Sequence, residues 1–154
     1  MRFIGTIEAK LDSKGRVFIP ACFRRSLQQA AGDSGETRLV MRKDVFEDCL
    51  VLYTEAEWYS RLDELRGRLS VWNKDEQSIM RRYVTGAEWI SLDSNGRMLI
   101  PKRYLRMANM DSQVTFVGMD STIEIWSTTQ LAQQASDSDF AKAVQDVMTQ
   151  HPTD

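Results

Sequence analysis

The apolar positions of this chain fall in short blocks separated by polar turns, and the spacing within each block assigns it to a strand or a helix. In the first half the pattern predicts strands near 3–11 and 16–19, a helix near 20–30, strands near 38–43 and 49–53, and a helix from 55 to about 66. The second half repeats this order, with predicted strands near 87–92, 97–100, 113–118 and 122–126 and helices near 101–108 and 128–135, the last extended from 138 to 149. Between the halves, Asn73 is placed to cap a helix over 74–85 whose Ile79, Met80, Tyr83 and Val84 share one face. Gly32-Asp33-Ser34-Gly35 reads as a loop, Gly67 as a break, and the polar run from Gln133 to Asp139 as a joint in the last helix.

The order repeats because the sequence repeats. Leu11-Asp12-Ser13-Lys14-Gly15-Arg16-Val17-Phe18-Ile19-Pro20 returns 81 residues later as Leu92-Asp93-Ser94-Asn95-Gly96-Arg97-Met98-Leu99-Ile100-Pro101, identical at seven of ten positions. Phe23 and Arg25 answer to Tyr104 and Arg106 in helices opened by Pro20 and Pro101. Leu50-Val51-Leu52-Tyr53-Thr54 answers to Ile123-Glu124-Ile125-Trp126-Ser127, a strand pattern ending at a hydroxyl residue. Thr54 with Glu57, and Ser127 with Gln130, then have the spacing of a capping box. Four short strands and one short helix cannot close a core alone, whereas two copies can pair their hairpins. The expected class is therefore α+β, one composite pseudo-twofold domain with a barrel-like sheet and peripheral helices.

Within the repeated segment, Asp12 can accept hydrogen bonds from the amides of its own turn, and Gly15 supplies the positive φ of a tight hairpin. Arg16 starts the return strand, within reach of the aspartate for a charge-assisted pair. Two roles are open to Asp12–Arg16 and Asp93–Arg97. As hairpin staples they would contribute no more than about 1 kcal/mol each when exposed. As a presenting device, the rigid turn would hold arginine, with Lys14 beside it, towards a DNA groove, where a guanidinium pairs bidentately with guanine O6 and N7. The candidate binding residues are Asp12, Lys14, Gly15 and Arg16 with Asp93, Asn95, Gly96 and Arg97. Because Lys14 becomes Asn95, the first turn is expected to be the stronger phosphate binder.

Composition narrows the alternatives. A chain of 154 residues with 42% hydrophobic and 27% charged residues is long enough and mixed enough to fold. Its longest apolar stretch, Cys49 to Tyr53, is far short of a membrane span, and its start lacks an apolar signal core, so a cytoplasmic location is expected. Cys22 and Cys49 have neither CxxC spacing nor companion histidines, and are expected to be small buried apolar residues. No metal and no cofactor are implied. The single histidine, His151, lies near the C-terminal end, and neither GxxxxGK[ST] nor GxGxxG occurs, which leaves enzymatic readings without their usual support. A net charge of −2 argues against indiscriminate coating of nucleic acid, yet residues 1–27 carry six cations against two carboxylates. Trp58, Leu62, Leu65 and Leu69 form one apolar stripe and Phe140, Val144, Val147 and Met148 another, and both are candidates for core or for contact between subunits.

With its two-copy DxxxR motif, Asp12 to Arg16 and Asp93 to Arg97, the sequence resembles the MraZ family. The resemblance extends to Phe3 and Gly5, to Cys49 through Tyr53 with Glu57-Trp58, to Arg82-Tyr83 with Ala87, and to Gly118 with Glu124-Ile125-Trp126. A lysine is common in that family where Cys22 stands, and an aromatic where Leu131 stands. The resemblance implies two tandem AbrB-like swapped-hairpin repeats, 1–70 and 87–154, joined by a connecting helix in 71–86. It also implies a non-enzymatic transcription regulator binding double-stranded DNA at direct repeats upstream of its own division and cell-wall gene cluster. Such a regulator would be nucleoid-associated and would assemble as a ring-shaped homo-oligomer of octamer-like size. The competing expectations are a non-catalytic oligomeric scaffold and an AbrB-type antitoxin-like regulator, the latter disfavoured by the duplication.

Overall fold

The computed structural model describes residues 2–31, 38–134 and 139–151. The expected Gly32–Gly35 loop, and residues 135–138 of the expected polar joint, lie outside the described residues. The chain runs β1 Thr6–Lys10, β2 Arg16–Phe18, α1 Ala21–Ala31, β3 Arg38–Lys43, β4 Leu50–Thr54, α2 Glu55–Arg68, α3 Lys74–Thr85, β5 Ala87–Ser91, β6 Arg97–Leu99, α4 Lys102–Met107, β7 Gln113–Met119, β8 Thr122–Ser127, α5 Thr128–Ala132 and α6 Phe140–Gln150. β1 is shorter than expected: Gly5 takes φ 128°, and Phe3 beyond it makes only an isolated bridge to Asp120.

The fold is mixed α+β with a six-stranded sheet in the order β1-β7-β8-β4-β3-β5 and a separate two-stranded ribbon, β2-β6. Two corrections to the sequence reading follow. The large sheet ends at β1 and β5 and is not closed into a barrel. Nor do β1 and β2 form a hairpin, since β1 pairs with β7 and β2 with β6. The Asp12–Arg16 turn is a corner at which the chain leaves the sheet and enters the ribbon. Pairing each arm with the opposite half is favoured because it covers Val17 and Met98, 2% and 1% exposed, with core contributed by both repeats.

The pairing is symmetric to the residue. Thr6 faces Val117 as Ala87 faces Arg42, and Lys10 faces Gln113 as Ser91 faces Arg38. β4 and β8 are antiparallel about the pair Val51–Glu124, and β2 and β6 about Val17–Met98. A pseudo-twofold relation therefore passes through both central pairs.

Strand alternation sorts the core into two clusters. Leu39, Met41, Leu50, Leu52, Ile123 and Ile125 face the shared interior, together with Phe23 of α1 and Tyr104 of α4. Val40, Val51 and Tyr53 point to the other face, where α2 lays Trp58 over them and Tyr83 of α3 stacks on Trp58 at 5.2 Å with planes 9° apart. Tyr104 differs from its counterpart Phe23 by a hydroxyl whose oxygen lies 2.7 Å from the Gly86 carbonyl and 3.2 Å from that of Met41, and which accepts from Arg103 Nη2.

Helix starts follow the expected caps. Thr54 Oγ1 accepts from the Glu57 amide at 3.2 Å, Asn73 Oδ1 from Glu76 at 3.0 Å and Ser127 Oγ from Gln130 at 3.5 Å. The reciprocal half of the first box is not made, because the Glu57 carboxylate turns instead to Arg61 Nε at 2.9 Å. Cys49 is buried as expected, but Cys22 is exposed: Phe23 and Leu27 occupy the inward positions of α1 and turn Cys22 outward. Among the described residues, no helix is long and apolar enough to cross a membrane.

Candidate nucleic-acid interface

Each corner is built around its aspartate. In the first, Asp12 Oδ1 accepts from the amides of Lys14 at 2.9 Å and Arg16 at 2.8 Å, and Oδ2 accepts from Arg16 Nε at 2.7 Å. The backbone closes the same loop, with the Gly15 amide donating to the Asp12 carbonyl and the Asp12 amide to that of Arg16. In the second, Asp93 Oδ1 accepts from Asn95 and Arg97, each at 2.9 Å, and Oδ2 from Arg97 Nε at 3.0 Å. Gly15 and Gly96 take φ of 85° and 80°, a region that β-carbon sterics close to most residues. Hydrogen bonds from the Arg16 backbone, its side chain and the Lys14 amide draw the Asp12 carboxyl down to about 2, and the same kind of network lowers Asp93.

The two corners are tied to each other. The Ile19 amide donates to the Gly96 carbonyl at 3.1 Å, and the Ile100 amide to that of Gly15 at 2.9 Å. All eight residues singled out by sequence are thus gathered at the two corners of one ribbon. Lys14 and Asn95 are exposed at the tips, Gly15 and Gly96 are buried, and the two arginines are half-buried.

Along the ribbon Val17 and Met98 point inward, so Arg16 and Phe18 on β2 and Arg97 and Leu99 on β6 share the outer face. Arg16 stands opposite Leu99, and Arg97 opposite Phe18, whose ring centre is 5.7 Å from the guanidinium carbon. Phe18 and Leu99 are 56% and 54% exposed, an apolar pair set between two cations. Each aspartate engages only Nε of its arginine, so among the described residues no protein acceptor lies on either Nη amino group. A planar fork clamped at its base and open at its tips suits bidentate recognition of a guanine edge or a phosphate.

The family model described as MraZ protein, antitoxin-like, matches residues 2–82 and again 83–150. The chain belongs to the MraZ family. It is 57% identical over 127 residues to the transcriptional regulator MraZ of Bacteroides fragilis, covering 82% of this chain and 78% of the relative. To the transcriptional regulator MraZ of Bacteroides thetaiotaomicron it is 49% identical over 149 residues, 96% of this chain and 93% of the relative. The transcriptional regulator MraZ of Clostridium tetani is 35% identical over 125 residues, 81% of each chain. Two matched segments in one MraZ chain accord with the two corners, the duplicated register and the shared core.

Sequence reasoning missed three residues of this surface. Phe18 and Leu99 were legible only as strand residues, although their two-residue spacing from Arg16 and Arg97 places them on the same face. The third is Arg24 of α1, which lies against the second corner: a β-carbon built on Gly96 would stand 2.6 Å from Arg24 Nη1. The signal was an alignment of Arg24 with Leu105 across the repeat, a position where the two halves differ in charge.

Proposed function

We propose that the chain is a sequence-specific DNA-binding transcription regulator that reads direct repeats with the β2-β6 ribbon. The observation that carries this reading is the duplicated clamp: two aspartates fix two arginines on one exposed ribbon face with their Nη groups open. A two-stranded ribbon is narrow enough for the major groove, where arginine reads guanine. Charge supports it. The segments 10–27 and 93–107, which hold both corners and the helices packed on them, contain nine of the chain's 20 cations but only two of its 22 carboxylates, Asp12 and Asp93. The remainder of the chain is acidic, so attraction to DNA is focused on this end rather than spread over the surface.

One ribbon spans only a few base pairs, so several subunits act together. Head-to-tail assembly as a ring-shaped homo-oligomer of octamer-like size would repeat the ribbon in one direction and favour direct repeats over palindromes. The apolar stripe Phe140, Val144, Val147 and Met148 supports assembly, since no residue of α6 is buried. In this reading the sites are the direct repeats upstream of the division and cell-wall gene cluster, the protein is cytoplasmic and nucleoid-associated, and it has no catalytic role. The test is fluorescence anisotropy on a duplex carrying the repeats against a scrambled duplex. The parent binds the repeats more tightly, and Arg16→Ala abolishes that preference while the folded spectrum is retained. Equal binding of both duplexes by the parent would favour the scaffold reading instead.

A further inference from the structure

The corners are built alike but covered differently. Over Gly15 lies Leu105, its Cδ1 3.5 Å from where a β-carbon would stand. Over Gly96 lies Arg24, with Nη1 at 2.6 Å, Cδ at 2.9 Å and Cζ at 3.3 Å from the corresponding point. Arg24 and Leu105 are equivalent positions 81 residues apart, as are Lys14 and Asn95. The cation missing from the second tip is therefore replaced by one that reaches over from the other half. Each corner ends with two cations: Lys14 and Arg16 in the first, Arg97 and Arg24 in the second.

Among the described residues, no ion pair or hydrogen bond consumes the Arg24 charge at the second corner. Asp93 is committed to Arg97 Nε and to the amides of Asn95 and Arg97. Arg24 itself is half-exposed and takes part in no salt bridge among the described residues. A guanidinium held against a turn whose carboxylate is already saturated is left to solvent and to an external anion.

We propose that Arg24 supplies the second corner's contact to a DNA phosphate, so that both ends of the ribbon grip the backbone and the two repeats complete each other's binding sites. This rests on the DNA-binding reading above. It replaces the inequality expected from sequence, in which Lys14 made the first corner the main phosphate binder. Arg24 would set the register of the ribbon on the duplex without reading a base.

Three forms are compared by anisotropy on the repeat duplex and on a scrambled duplex across a salt series. They are the parent, Arg24→Leu, which installs the residue already covering Gly15, and Arg24→Leu/Asn95→Lys, which returns a cation at the position equivalent to Lys14. Arg24→Leu weakens binding to both duplexes by the same factor and lowers the slope of log affinity against log salt by about one per bound subunit. The double variant recovers the parent slope. An unchanged slope in Arg24→Leu overturns the assignment, and so does a lowered slope that Asn95→Lys fails to restore, which would make Arg24 a support for the fold. Should melting show that Arg24→Leu unfolds, Arg24→Gln removes the charge while keeping a long polar stem over Gly96, under the same criteria. A parent that binds both duplexes equally defeats the sequence-specific reading but leaves the Arg24 slope measurable. A parent that binds neither defeats both.

Discussion

At the scale of single residues, the corner aspartates do two jobs with one carboxylate: they close a turn and aim a guanidinium. The depressed value of Asp12 records this. The largest cause is the hydrogen bond from the Arg16 amide, followed by partial desolvation, which opposes it, and then by the Arg16 side chain and the Lys14 amide. A carboxyl held below its ordinary value of 3.8 stabilises the fold above that value and loses its contribution as pH falls towards about 2. The expected outcome for Asp12→Asn is therefore a lowered melting temperature at neutral pH whose difference from the parent closes between about pH 4 and about pH 2. A difference that stays constant down to pH 2 would show that the carboxylate charge contributes nothing to the corner. The same variant is expected to weaken specific DNA binding at neutral pH, because Arg16 loses the acceptor that fixes its Nε.

Elements here are positioned by close backbone approach as much as by apolar contact. β7 pairs with β1 on one side while the segment Phe3–Gly5 bends across its end, with the Gly118 amide donating to the Gly5 carbonyl at 2.8 Å. A β-carbon on Gly118 would meet the Phe3 carbonyl carbon and oxygen at 2.6 Å and the Ile4 amide nitrogen at 2.7 Å, none of which can swing aside as a side chain can. Gly118→Ala is expected to destabilise by about 1–3 kcal/mol in a denaturant titration and to release the Phe3 ring from its edge-to-face contact with Phe23. Gly67→Ala serves as the control: nothing among the described residues lies within 4 Å of its β-carbon position, and in the last turn of α2 alanine should be neutral to mildly stabilising. If both substitutions prove equally mild, the N-terminal segment is not held by that crossing.

For the whole molecule, the question is which apolar helix faces belong to the fold and which are left for another subunit. By periodicity alone Trp58 is a candidate for either core or contact between subunits. It is 5% exposed and lies between Tyr53 and Tyr83, so the front of that stripe is home core. Val144 on α6 is 44% exposed and its neighbours on the stripe more so. The two positions should separate cleanly. Trp58→Ala is expected to cost about 3–5 kcal/mol of stability, whereas Val144→Asp should leave the melting of the body unchanged and lower the particle mass in light scattering. Val144→Asp should also weaken binding to multi-repeat DNA more than to a single repeat, if the ring couples assembly to recognition. Full affinity for the multi-repeat duplex in a monomeric Val144→Asp protein would remove the coupling.

Much of this is legible in the sequence because it is written locally. The Asp-x-x-Gly-Arg turn, the caps at Thr54, Asn73 and Ser127, and the alternation of Leu50 to Tyr53 depend on residues within a few positions of one another. Duplication added one long-range fact, that whatever the first half does the second repeats in related form. What the sequence could not decide is which strand each arm pairs with. A hairpin within one repeat and a crossed pairing between repeats satisfy the same local signals, and the choice falls to burial: only the crossed arrangement seats Val17 on Met98 and closes one interior from both halves. The same exchange of partners put Arg24 on Gly96 and Leu105 on Gly15, contacts between segments more than 70 residues apart that no local pattern encodes. Local chemistry determined the corners, and tertiary pairing decided what each corner touches.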